Sequence, residues 1–167
     1  ADATITHSLP ELSFGTDVAG VGDLDGDGLP EFAVGGTGVY DALHIFGVVT
    51  GQADESSASA TLDKGTSEWG TTIVGGFDFD SDGLNDMATN AAFPIEGSNN
   101  LRIGARVLVA SAPQLADEGC YVESLAGATD FSGDGGADLI VGCPGWEGLS
   151  IAGGAVFVVL GTAPSSR

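Results

Sequence analysis

The feature that most constrains this chain is an internal repeat, seen most clearly in three Asp-rich segments. The first reads Asp23-Leu24-Asp25-Gly26-Asp27-Gly28-Leu29-Pro30-Glu31 and runs into Phe32-Ala33-Val34-Gly35-Gly36. A second copy begins 55 residues later as Asp78-Phe79-Asp80-Ser81-Asp82-Gly83-Leu84-Asn85-Asp86, followed by Met87-Ala88-Thr89. The third, Asp130-Phe131-Ser132-Gly133-Asp134-Gly135-Gly136-Ala137-Asp138, leads into Leu139-Ile140-Val141-Gly142-Cys143-Pro144. In each copy an aromatic residue (Phe14, Trp69, Tyr121) stands nine positions ahead of the first Asp. Repeats of this length are supersecondary units that bury their apolar faces against their neighbours.

Short runs rich in Val, Ile and Phe, bounded by Gly and Asp, are strands rather than helices. Each copy is followed by a further β-prone run, at 42–49, 105–110 and 155–160. Residues 58–63 supply a fourth strand ahead of Trp69, and residues 3–8 hold the same place ahead of Phe14. The expectation is an all-β chain of three four-stranded units, with repeats at about 3–57, 58–109 and 110–167 and no separate second domain.

Alternating acids in a tight loop are a calcium-binding pattern. Ca²⁺ takes six to eight oxygen ligands, residues i, i+2 and i+4 can converge on it, and glycine permits the sharp turn. In the second loop Asp78, Asp80 and Asp82 would supply carboxylates, Leu84 a carbonyl, and Asp86 the closing ligand. The first loop offers Asp23, Asp25, Asp27, Leu29 and the longer Glu31. In the third, Ser132 replaces the second acid, leaving Asp130, Asp134, Gly136 and Asp138, so this site is expected to be the weakest. The bland alternative is that Asp and Gly merely form β-turns. An EF-hand is excluded, because position 12 holds Val34, Thr89 and Val141 instead of Glu, and strands rather than helices flank each loop.

Charge bears on the same question. Twenty-four acidic residues against four basic ones give a net charge of −20. Such a charge disfavours nucleic acid and anionic membrane surfaces as partners and opposes compaction unless cations neutralise it. Eleven of the acids lie in the three loops, where three Ca²⁺ would bring −20 to −14. No apolar run is long enough to span a bilayer, and the N-terminal Ala-Asp-Ala-Thr lacks the basic and apolar regions of a signal peptide, as a mature form after processing would. Cys120 and Cys143, without a second Cys or His nearby, argue against zinc and leave a disulfide or two thiols open.

With these motifs laid out, the chain resembles the FG-GAP repeats of integrin α-subunit-type β-propellers. Phe14-Gly15 matches the first signature and Trp69-Gly70 nearly does, whereas Tyr121-Val122 loses the glycine. Gly142-Cys143-Pro144 stands at the Gly-Ala-Pro signature, with Gly35-Gly36-Thr37 and Asn90-Ala91-Ala92 as weaker versions. The resemblance implies a ring of four-stranded blades with structural calcium in the hairpin loop of each blade, and with ligands bound elsewhere. It also brings Cys120 close to Cys143, so that a disulfide is expected.

Three blades make a half-propeller. The expected partner is therefore a second copy closing a six-bladed ring, or else a four-bladed partner chain, with residues 3–8 of one chain completing the last blade of another at 155–160. The functional expectation is a secreted or cell-surface scaffold for protein binding or adhesion, not an enzyme. The alternatives are a propeller lectin or the non-catalytic part of a secreted enzyme. His7 and His44 read as ordinary strand residues, and Trp146, off the repeat period in a loop, reads as a side chain for sugar or partner contact.

Overall fold

A computed structural model describes residues 2–8, 13–36, 42–63, 72–90, 107–109, 122–127, 130–144, 146 and 153–164. The described residues form an all-β structure of twelve strands with one 3₁₀ turn at Glu55–Ser57. Trp69, Tyr121, Cys120 and all four basic residues (Lys64, Arg102, Arg106, Arg167) lie outside the described residues.

Each Asp-rich hairpin lies in a sheet of its own. In the first, β2 (Asp17–Gly22), β3 (Glu31–Gly35), β4 (Ala42–Phe46) and β6 (Ala60–Asp63) are antiparallel neighbours in that order. The strand at the head of the second repeat thus completes the sheet of the first. The second sheet orders β7 (Ile73–Phe77), β8 (Asp86–Thr89) and β9 (Val107–Val109). The third orders β10 (Ser124–Gly127), β11 (Leu139–Cys143) and β12 (Ala155–Val159), all antiparallel. No sheet closes on itself, and four-stranded units are complete only in the first sheet among the described residues.

Two pairings depart from the expected units. Strand β1 (Ala3–Thr6) is not left free: it pairs in parallel with β5 (Gly51–Asp54) of its own chain, Ile5 opposite Ala53. Ser8 adds to this attachment, its hydroxyl and N–H both donating to the Glu55 carboxylate. Strand β9 runs parallel to β8, with Leu108 opposite Ala88, where a hairpin return would be antiparallel.

The sheets stack through two apolar layers. Val21, Leu24, Ala33, Leu43 and Ile45 of the first unit pack with Ile73 and Met87 of the second. Phe77, Ala88 and Val74 of the second unit pack with Leu125, Leu139, Val141 and Phe157 of the third. Alternation along the strands produces this arrangement. In β4, Leu43 and Ile45 face the second sheet, while His44 and Phe46 turn to the far side, where the rings of His7 and Phe14 lie against His44 at 5.7 and 5.8 Å. Glycine allows the close approach of the innermost strands: a Cβ on Gly75 would sit 2.7 Å from Val21 Cγ1, and one on Gly127 would sit 2.5 Å from Phe77 Cδ1.

Candidate metal centre

Each Asp-rich segment is the hairpin loop joining the first two strands of its sheet, β2–β3, β7–β8 and β10–β11. The three loops share one backbone path. Positions 4 and 6 adopt left-handed φ in every copy: Gly26 and Gly28 at 79° and 86°, Ser81 and Gly83 at 60° and 96°, Gly133 and Gly135 at 78° and 92°. Five of these six residues are glycine, which takes this conformation without steric penalty, and Ser81 is the exception.

A common set of hydrogen bonds holds that path. The first Asp accepts from the N–H groups of the turn: Asp23 from Gly26 and Gly28, Asp78 from Asp82 and Gly83, and Asp130 from Gly133, Asp134 and Gly135. The Asp at position 5 accepts from the N–H two residues on, Leu29 to Asp27, Leu84 to Asp82 and Gly136 to Asp134. The closing acid reaches back to the N–H of position 2. Leu24 donates to Glu31 at 2.8 Å, Phe79 to Asp86 at 2.7 Å, and Phe131 to Asp138 at 2.6 Å. These closing acids are buried in all three loops.

Turns built this way leave several carboxylate oxygens facing one another. Asp23, Asp25 and Asp27 in the first loop, and Asp78, Asp80 and Asp86 in the second, each bring three carboxylate oxygens within 4.8 Å of one another, close enough to hold one metal ion. Neither trio contains the whole expected set. Glu31 lies outside the first trio and Asp82 outside the second.

Among the described residues the acids of the third loop form no such trio. Ser132 donates its hydroxyl to Asp130 instead of adding a carboxylate. Both oxygens of Asp138 are taken up by backbone N–H groups, one by Phe131 and Ser132 and the other by Gly161. The N–H groups gathered on Asp130, that of Gly135 foremost, hold its carboxyl below the usual range.

The first loop shows the opposite electrostatic strain. Burial pushes the Glu31 carboxyl up despite its bond from Leu24, and the charges of Asp25, Asp27 and Asp23 push in the same direction. A bound cation would relieve that repulsion. Oxygen-only donors in a small flexible loop suit a hard cation such as Ca²⁺.

Sequence inspection misses the bracing between loops. Asn85, at loop position 8 of the second unit, accepts from Asp23 N–H through Oδ1 and donates its own N–H to the Asp23 carbonyl, both at 3.0 Å. Ser81 Oγ donates to the Thr162 carbonyl at 2.6 Å, and Thr162 N–H donates to the Phe79 carbonyl at 2.7 Å. The sole hint in the sequence is that Ser81 occupies a position that is Gly in the other copies.

Trp146 does not fit the role of an exposed contact residue. It packs in the second apolar layer with its ring edge-on to Phe157 at 5.8 Å, and its buried Nε1 has no hydrogen-bond partner among the described residues. Cys143 is buried and disulfide-bonded; Cys120, the other cysteine of the chain, lies outside the described residues. An open cleft bordered by Glu123, Ser124, Pro144 and Val156 lies at the end of the third sheet away from its Asp loop. No helix among the described residues is long and apolar enough to cross a membrane. Comparison of the chain with family models, with curated proteins and with solved structures found no match.

Proposed function

We propose that this chain is a calcium-stabilised scaffold of β-propeller type, with blade-like units stacked around metal-bearing hairpin loops, that serves protein binding or adhesion outside the cell in an assembly of more than one chain. The observation that carries this reading is the pair of carboxylate trios at equivalent loops, Asp23, Asp25 and Asp27 and then Asp78, Asp80 and Asp86. One acidic turn is a common surface feature. Two trios on the same backbone path, in a chain of net charge −20, support this reading, because a cation would relieve the repulsion gathered in each loop. The resemblance to FG-GAP repeats supports the same assignment, with calcium as a structural ion and recognition on surfaces away from the loops.

Calcium would act through mass action. A site with a Kd of about 10⁻⁴ M in 10 mM Ca²⁺ adds roughly 2.7 kcal/mol to the folded state, and two such sites roughly double that. Thermal unfolding in EDTA and in millimolar Ca²⁺, with Mg²⁺ as control, tests this. The midpoint is expected to rise with Ca²⁺, and identical midpoints in all three media would overturn the proposal.

A further inference from the structure

The stack ends in two faces whose counterparts inside it are covered by neighbouring sheets, and strand register shows which residues correspond. Val18, Ile73 and Leu125 each lie five residues before the first Asp and pair with position 12 of their loops, at Val34, Thr89 and Val141. Ile73 is buried against the first sheet at 7% exposure, and Leu125 packs against the second, but Val18 is 62% exposed. Gly20, Gly75 and Gly127 likewise correspond, three residues before the Asp. Val21 fills the space over Gly75 and Phe77 that over Gly127, whereas no atom of the described residues lies within 4 Å of a Cβ built on Gly20. The φ of Gly20 is not positive, so its backbone does not require glycine.

The other end of the stack shows the converse. Ala33 pairs with Ile45 in the first sheet, and Ile140 pairs with Val158 in the third. Val158 therefore holds the place of Ile45, and Val156 that of Leu43. Under the second sheet, Leu43 and Ile45 are 0% and 1% exposed, while Val156 and Val158 are 71% and 51% exposed. One end thus presents an unfilled notch at Gly20 beside Val18, and the other an apolar strip that matches the surface a following sheet covers.

We propose that the open face of the third sheet seats on the exposed β2 part of the outer face of the first sheet in a second copy of this chain, head to tail. This repeats between chains the contact that joins sheets within one. The occupant is a second copy because this chain itself carries both faces, the apolar strip of Val156 and Val158 and the notch at Gly20 beside Val18. The N-terminal segment covers the part of the receiving face over His44 with His7 and Phe14, which leaves β2, with Val18 and Gly20, as the docking strand. Such heterologous contacts close into a ring when the rotation permits and otherwise extend as a filament. The proposal rests on the reading of the chain as a stack of blade-like units.

Two variants of the full chain test it by sedimentation velocity in millimolar Ca²⁺. Gly20→Leu fills the notch on one face, and Val158→Glu places a charge on the other. The unaltered chain is expected to associate, each variant alone to be monomeric, and an equimolar mixture to form a heterodimer through the one intact pair of faces. A monomeric unaltered chain overturns the proposal, as does a mixture of folded variants that stays monomeric. A Gly20→Leu chain that still self-associates also overturns it and indicates third sheets meeting face to face. Unfolding of the same samples in EDTA separates the two readings: association without calcium-dependent melting removes the calcium role and leaves the interface standing.

Discussion

Replacing Asp25 by Asn distinguishes a metal site from a self-sufficient acidic turn, because the two predict opposite signs. Among the described residues Asp25 accepts from Asp27 N–H at 3.1 Å, a bond that the Asn side-chain carbonyl can keep. What changes is the charge. Its carboxylate oxygen lies within 4.8 Å of those of Asp23 and Asp27, and the side chain is exposed. In water each such pair repels by about 0.9 kcal/mol, and physiological salt screens this to about half. In EDTA, Asp25→Asn should therefore stabilise the fold by about 1 kcal/mol.

In 10 mM Ca²⁺ the balance reverses. A loss of one charged ligand that weakens Kd from about 10⁻⁴ to about 10⁻² M cuts the stabilisation from this site from roughly 2.7 to roughly 0.4 kcal/mol. The net effect is then a destabilisation of about 1.3 kcal/mol. Urea unfolding followed by tryptophan fluorescence, in EDTA and in Ca²⁺, measures both quantities. The same stabilisation in both media would show that the carboxylates form a turn and hold no ion.

Two further outcomes test the packing and the buried histidine. Gly127→Val should cost about 1–3 kcal/mol, since its Cβ would meet Phe77 at 2.5 and 2.6 Å, as measured by urea midpoints; a shift no larger than for an exposed strand position would refute the close approach. Burial lowers the pKa of His44, and His7 nearby adds to this effect while Glu55 opposes it. The unfolded chain then takes up the proton first, so the stability His44 contributes is complete above about pH 6.5 and is lost as pH falls toward its folded pKa. Unfolding free energies between pH 7.5 and 5.5 should decline on acidification, and His44→Phe should flatten the decline; equal slopes in both chains would refute the assignment.

The parts legible in the sequence are those set by local chemistry. Loops with Asp at positions 1, 3 and 5 and Gly at the turn announce their own geometry, because the left-handed residues and the carboxylates that accept turn N–H groups lie within one nine-residue segment. Runs such as Phe32-Ala33-Val34 and Ala155-Val156-Phe157-Val158-Val159 mark strands by composition. That the acids of the third loop form no carboxylate trio among the described residues is foreshadowed by Ser132, but the bond from Gly161 N–H, 23 residues beyond Asp138, to one oxygen of that carboxylate is not, because nothing at Asp138 itself records it.

Pairing between distant segments was illegible for a related reason. Residues 3–6 alternate as a strand does, but local pattern does not specify which edge they join. The partner, Gly51-Gln52-Ala53-Asp54, contains no β-branched or aromatic residue, and becomes a strand only by receiving β1. Once β1 is anchored there, Ser8 reaches Glu55, and His7 and Phe14 close over His44. This placement weighs against exchange of residues 3–8 as the means of assembly, because a chain that donates β1 gives up these contacts before it gains any. Stacking of open faces requires no such release. The exposed Val156 and Val158 at one end and the notch at Gly20 at the other are already in place in the single chain.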